Sequence, residues 1–184
     1  MCAIATEIST KKNTSFQQTK AAGRRAESLA NRIEEGANSL AAFVEALSET
    51  EWNTLVPEST GAHRSIGVIV HHVATVYPIE VDLAKTIASG EAVTDVTWEV
   101  IAHLNSHHAR DYAEVSKSTA LELLRRNSRA AAEAVRMFTD EELDQAAPFS
   151  LSFGAPVTAQ FVIEDHALRH SWHHLAGIRK TLDK

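Results

Sequence analysis

The chain has 184 residues, 44% of them hydrophobic and 23% charged, with a net charge of −6 and a single cysteine. Such a chain reads as one globular domain that can bury roughly 70% of its unfolded surface. One cysteine excludes a disulfide framework and a cysteine-based zinc module, and basic residues that occur in pairs rather than stripes exclude the electrostatic footprint of a nucleic-acid binder.

Residues 1–18, which carry Cys2, read as a flexible polar leader without the apolar core of a signal peptide, and residues 19–184 as the domain. No uninterrupted apolar run approaches the ~18 residues of a membrane span. The chain is therefore expected in the cytoplasm and away from membranes. A first long helix is predicted over about residues 20–47, with Leu29, Ile33, Ala37, Leu40, Val44 and Leu47 on one stripe. Ser48-x-x-Glu51 is a capping-box pattern that opens a short helical turn ending before Pro57, and the polar stretch ESTGAHR follows as a loop.

The second long helix is predicted over 66–88 and closed by Gly90, with a kink at Pro78, which has no N–H to donate. A third element spans about 96–115, and Ser118 is the expected cap of a helix over about 119–138. Thr139-x-x-Glu142 is a second capping box, PFSLSFGAP reads as a loop, and Thr158 caps a last helix over about 159–181. Four long helices with short accessory ones predict an all-α four-helix bundle.

Ten histidines are the unusual feature, four of them in DHALRHSWHHLAGIRK (165–180). Helical geometry advances about 100° per residue, so His170 and His174 share one edge of the apolar arc predicted from Phe161, Leu168, Trp172, Leu175, Ile178 and Leu182. His166 and His173 fall further round. Of the adjacent pair His71 and His72, His72 has Val68, Ile69, Val76 and Ile79 as its helical neighbours, and is the one expected to face inward. Inward imidazoles need hydrogen bonds or a metal ion, and facing helices of a bundle commonly build metal sites. His72, His170 and His174 are the expected ligand set. His103, His107 and Asp111 share a stripe with polar neighbours and read as a solvated face, although Asn105 or His107 would line a cleft if their helix packs beside the second. Glu164, on the apolar arc, is expected to pair with an arginine; a general-base role is its sharper alternative.

SIGVIVHHVA in the second helix and H-x-x-x-H in LRHSWHHLAGIRK, with the stretches between them, resemble the DinB/YfiT-like superfamily over about residues 25–182. The resemblance implies an up-down-down-up four-helix bundle and a divalent metal held by three histidines, which fall on His72, His170 and His174. The Gly-Gln pair that often follows the second histidine is absent, since this chain reads His174-Leu-Ala-Gly177. Related proteins include S-transferases that use a low-molecular-weight thiol, and many dimerise. The expectation is an enzyme with an open metal site (Zn, Ni, Fe or Mn), a small-molecule substrate, a thiol cosubstrate and a homodimeric assembly, the rival being a non-catalytic metal- or ligand-binding bundle.

Overall fold

The computed structural model describes residues 23–57 and 63–184. The leader with Cys2, the first residues of the predicted opening helix (20–22) and residues 58–62 of the predicted loop lie outside the described residues.

Helix α1 (Arg24–Glu45) buries Leu29, Ile33, Ala37, Leu40 and Val44, the stripe its periodicity predicts. The capping box forms as expected: Glu51 N donates to Ser48 Oγ at 3.2 Å and Ser48 N to Glu51 Oε2 at 2.8 Å, starting the short α2 (Glu49–Trp52). The flanks of the predicted loop then pair as an antiparallel hairpin, β1 (Leu55–Pro57) with β2 (His63–Ser65), in which Val56 faces Arg64. Ser65 ends β2 and caps α3 (Ile66–Ala88) by accepting from Val68 N at 3.3 Å.

Pro78 does not end α3, which runs on for ten more residues. The proline leaves the carbonyl of Ala74 without its i+4 donor, and Asn127 Nδ2 donates to it at 2.8 Å from another helix. By length and mean hydropathy α3 could cross a membrane, but most of that stretch is buried inside the bundle. Helix α4 (Trp98–Asp111) is shorter than predicted and buries none of its residues fully. Helix α5 (Lys117–Arg136) begins two residues earlier than predicted: Ser116, not Ser118, holds the extended cap conformation and accepts from Thr119 N at 3.2 Å.

The second capping box, Thr139 with Glu142, opens α6 (Asp140–Asp144) as expected. PFSLSFGAP is not simply a loop, since its ends belong to a second hairpin, β3 (Ala146–Pro148) with β4 (Pro156–Thr158), around a 3-10 turn at Ser150–Ser152. Thr158 then caps α7 (Ala159–Val162), as predicted. The final helix is interrupted: a π-helical turn over Ile163–Leu168 separates α7 from α8 (Arg169–Leu182).

Side-chain pairings fix the helix directions. Arg136 meets Glu27 and Glu34 while Arg125 meets Glu45, so α5 runs antiparallel to α1. Arg25 reaches Gln160 and Arg179 lies over Phe43, so the last helix runs parallel to α1. Tyr77 bonds Ser171 and Glu80 bonds His170, while His72 lies beside His174, so α3 opposes the last helix. The result is the up-down-down-up four-helix bundle expected, with one hydrophobic core drawn from all four long elements.

Candidate metal centre

The bundle brings His72 of α3 together with His170 and His174 of α8. One ligand nitrogen from each lies within 4.8 Å of the other two. The ring centroids of His72 are 5.1 Å from His170 and 5.8 Å from His174, and those of His170 and His174 are 4.9 Å apart. Separations of that size let three imidazoles share one ion.

The π turn directly precedes the two α8 ligands. A π turn holds more residues than an α turn, so it rotates everything on one side of it relative to the other. Of the predicted apolar arc, Leu168, Leu175 and Ile178 are buried, but Phe161 and Trp172 are exposed, and Val162, Ile163, Ala167 and Ser171 are buried as well. His166, inside the turn, is half-buried against Phe149. His170 and His174 lie on one side of the turn, so their i, i+4 relation survives. His173 is exposed.

Burial sets the electrostatics. Desolvation pushes the imidazoles of His72 and His174 well below the usual histidine range, and the neighbouring His170 and Arg64 add to it. Both rings are thus held neutral, the form that offers a lone pair to a metal. Glu80, 5% exposed, accepts a hydrogen bond from His170 Nδ1 at 2.5 Å, and its other oxygen is buried without a hydrogen-bond partner among the described residues. A carboxylate in that position favours a cation close by. The donor set and this buried acid fit a divalent ion. Arg64, carried by β2, is buried, and its positive charge acts on His72, His174 and His108.

One side of the centre departs from expectation. His71, read as the outward member of its pair, is as buried as His72 because α4 packs over it. The nitrogens His71 Nδ1 and His108 Nε2 lie 2.9 Å apart, and Tyr112 stacks on His71 with centroids 3.9 Å apart. His108 also lies edge-on to His72 at 5.6 Å. Burial pushes the His108 imidazole down to about 4, with the neighbouring His71 and Arg64 contributing. The α4 histidine singled out from sequence, His107, is exposed and packs on His103 instead, at 4.3 Å. Asn105 is half-buried on the same helix. Glu164 accepts from Gln160 at 3.2 Å and lies 3.8 Å from Arg32, the arginine pairing expected of it rather than a place in the centre.

Glu80 and His108 escaped the sequence reading. Glu80 carries a legible signal, being the first charged residue after Arg64 in a long apolar stretch that also holds two histidines. His108 carries none, since its burial depends on how α4 docks.

The model of one protein family matches residues 32–178, described as the DinB superfamily. The chain belongs to the DinB superfamily. Among solved structures, this DinB-superfamily chain is similar to YfiT from Bacillus subtilis, with a TM-score of 0.66 and 18% identity over 96% of this chain and 93% of that one. YfiT is described as a probable metal-dependent hydrolase with an unusual four-helix bundle topology. A comparison with curated protein sequences finds no match.

Proposed function

We propose that this DinB-superfamily protein is a divalent-metal-dependent enzyme that acts on a small molecule at the His72, His170 and His174 centre. The reaction is hydrolysis or the transfer of a low-molecular-weight thiol. The observation that carries this reading is the convergence of three histidine nitrogens within 4.8 Å, with two of the rings held neutral by burial. A divalent ion held there would polarise a substrate and acidify a water or thiol set against it. The chain's own residues do the rest. Arg64 adds positive charge beside the imidazoles, and the His71, His108 and Tyr112 stack lines the side of the centre next to His72.

Support for hydrolysis comes from the description of YfiT, and support for thiol transfer from the superfamily resemblance. Histidine ligation suits Zn, Ni, Fe or Mn. We place the protein in the cytoplasm, in keeping with its single cysteine, and its net charge of −6 argues for a small-molecule substrate over nucleic acid. A membrane is not among the proposed partners, and a homodimer is the assembly the resemblance implies.

The test is the metal content of untagged protein, never exposed to chelators, measured by inductively coupled plasma mass spectrometry beside the His170→Ala variant. The expected result is about one ion per chain, lost in the variant. Ester hydrolysis and the transfer of a small thiol to a model electrophile are then assayed on the loaded protein. A bound ion with neither turnover identifies a non-catalytic metal-binding bundle, and no ion after incubation with Zn, Ni and Mn overturns the reading.

A further inference from the structure

We infer that Glu80 is the positioning residue of the centre: it fixes His170 in the tautomer that leaves Nε2 as the donor atom, and sets a carboxylate against a donor set made only of imidazoles. This inference rests on the metal reading above.

Glutamate is rarely buried to 5% exposure, and when it is, it is normally paired with a cation. Among the described residues Glu80 forms no ion pair with a lysine or arginine. Its partner is the Nδ1 of His170 at 2.5 Å. Its second oxygen is buried with no hydrogen-bond partner among the described residues. The nearby Tyr77 hydroxyl, one turn earlier on α3, is engaged with Ser171 Oγ at 2.7 Å and does not serve it.

As a device for stability alone the arrangement is poor, because an apolar side chain of similar volume commonly does as well or better than a buried ionic pair. As a device for orientation it is specific. An imidazole has one N–H and one lone pair when neutral, and a carboxylate against Nδ1 accepts that N–H. Nε2 is left with the lone pair, and the ring is pinned about its side-chain torsions. The Tyr77 to Ser171 bond ties the same turns of α3 and α8 together, so the acid and the imidazole keep their separation. Among the described residues no carboxylate bonds His174, four residues on.

The experiment measures zinc affinity by competition with a chromophoric chelator for wild type, Glu80→Gln and Glu80→Ala, and the His170 tautomer in the metal-free proteins by long-range 1H–15N NMR. Removing a carboxylate that orients a ligand histidine typically weakens the metal about 10- to 100-fold. Glu80→Ala should show a loss of that size, together with loss of the Nδ1–H tautomer at His170. Glu80→Gln, which keeps an acceptor but not the charge, should keep the tautomer and lose less zinc affinity. Wild type and both variants binding zinc equally, or a His170 tautomer unchanged in Glu80→Ala, overturns the inference and leaves the metal centre standing. Should Glu80→Ala not fold, the near-isosteric Glu80→Gln decides: affinity equal to wild type overturns the charge contribution, and Nε2–H at His170 in wild type overturns the orientation. Wild type that takes up no zinc, nickel or manganese overturns the metal centre itself, and Glu80's role with it.

Discussion

Asn127 Nδ2 donates to the main-chain carbonyl of Ala74 at 2.8 Å, the carbonyl that Pro78 leaves without its helical donor. The proline sits between His72 and Glu80, so the repair of this one hydrogen bond keeps the two ends of the site on one continuous helix. Removing the amide leaves a buried acceptor unmet, which costs about 1–3 kcal/mol. Asn127→Ala should therefore lower the urea midpoint by that equivalent. In a Pro78→Ala background the new N–H serves Ala74, and Asn127→Ala should then cost markedly less. Equal costs in both backgrounds would show that Asn127 acts through something other than the proline.

His108 and His107 are neighbours in sequence with opposite environments, and substitutions should separate them. His108→Ala leaves the buried His71 Nδ1 with only a 3.5 Å contact to Thr75 Oγ1, whose hydroxyl already donates to the His71 carbonyl at 2.8 Å, and should destabilise by about 1–3 kcal/mol while the three proposed ligands keep their metal. His107→Ala, on an exposed face, should shift stability by no more than about 0.5 kcal/mol and leave metal content unchanged. Thermal melts and metal analysis on the two variants suffice. Loss of metal from His107→Ala would mean that α4 docks differently from the arrangement described.

Most of the bundle was legible because its signals are local and periodic. The α1 stripe, both capping boxes and the Thr158 cap are properties of short stretches, and each appears in place. The three-residue strands are too short to alternate visibly, and Ser116 and Ser118 are equally good caps by composition. The π turn leaves no compositional mark, yet it resets the helical phase between the exposed Phe161 and the residues of α8. At the centre, His170 and His174 were legible by spacing on one side of that turn, and His72 by its apolar neighbours. The burial of His71 and the half-burial of His108 follow from the docking of α4, a tertiary event that no helical projection contains.

The buried imidazoles make the metal-free fold sensitive to mild acid. His72, His174 and His108 are held below their ordinary range in the folded state, His108 at about 4, whereas in the unfolded chain they titrate near an ordinary ~6.5. Above that value both states are neutral and stability is level. Below it the unfolded chain binds more protons, so each such group removes up to about 1.4 kcal/mol per pH unit as the pH falls toward 4. Urea midpoints of metal-free protein should be similar at pH 8 and 7 and fall from pH 6.5 to 5, with a shallower fall in His108→Asn. A midpoint independent of pH from 8 to 5 would show that these rings are not held neutral.

Gly67 tests whether the start of α3, five residues before His72, is packed as tightly as it looks. A Cβ at Gly67 would lie 2.8 Å from Nε1 and Cε2 of Trp52, inside the distance real side chains tolerate. Trp52 is 3% exposed and its indole N–H donates to the Val115 carbonyl at 3.2 Å, so it cannot swing away without breaking that bond. The helix cannot easily retreat either, since Ile66 N is bonded to the Thr54 carbonyl at 3.1 Å. Overpacking of this kind costs about 1–3 kcal/mol. Gly67→Ala should lower the unfolding midpoint accordingly. The cost should shrink in a Trp52→Leu background, where the smaller side chain leaves room for the methyl group. A Gly67→Ala protein as stable as wild type would mean that α3 begins further from Trp52, and would loosen the placement of His72 with it.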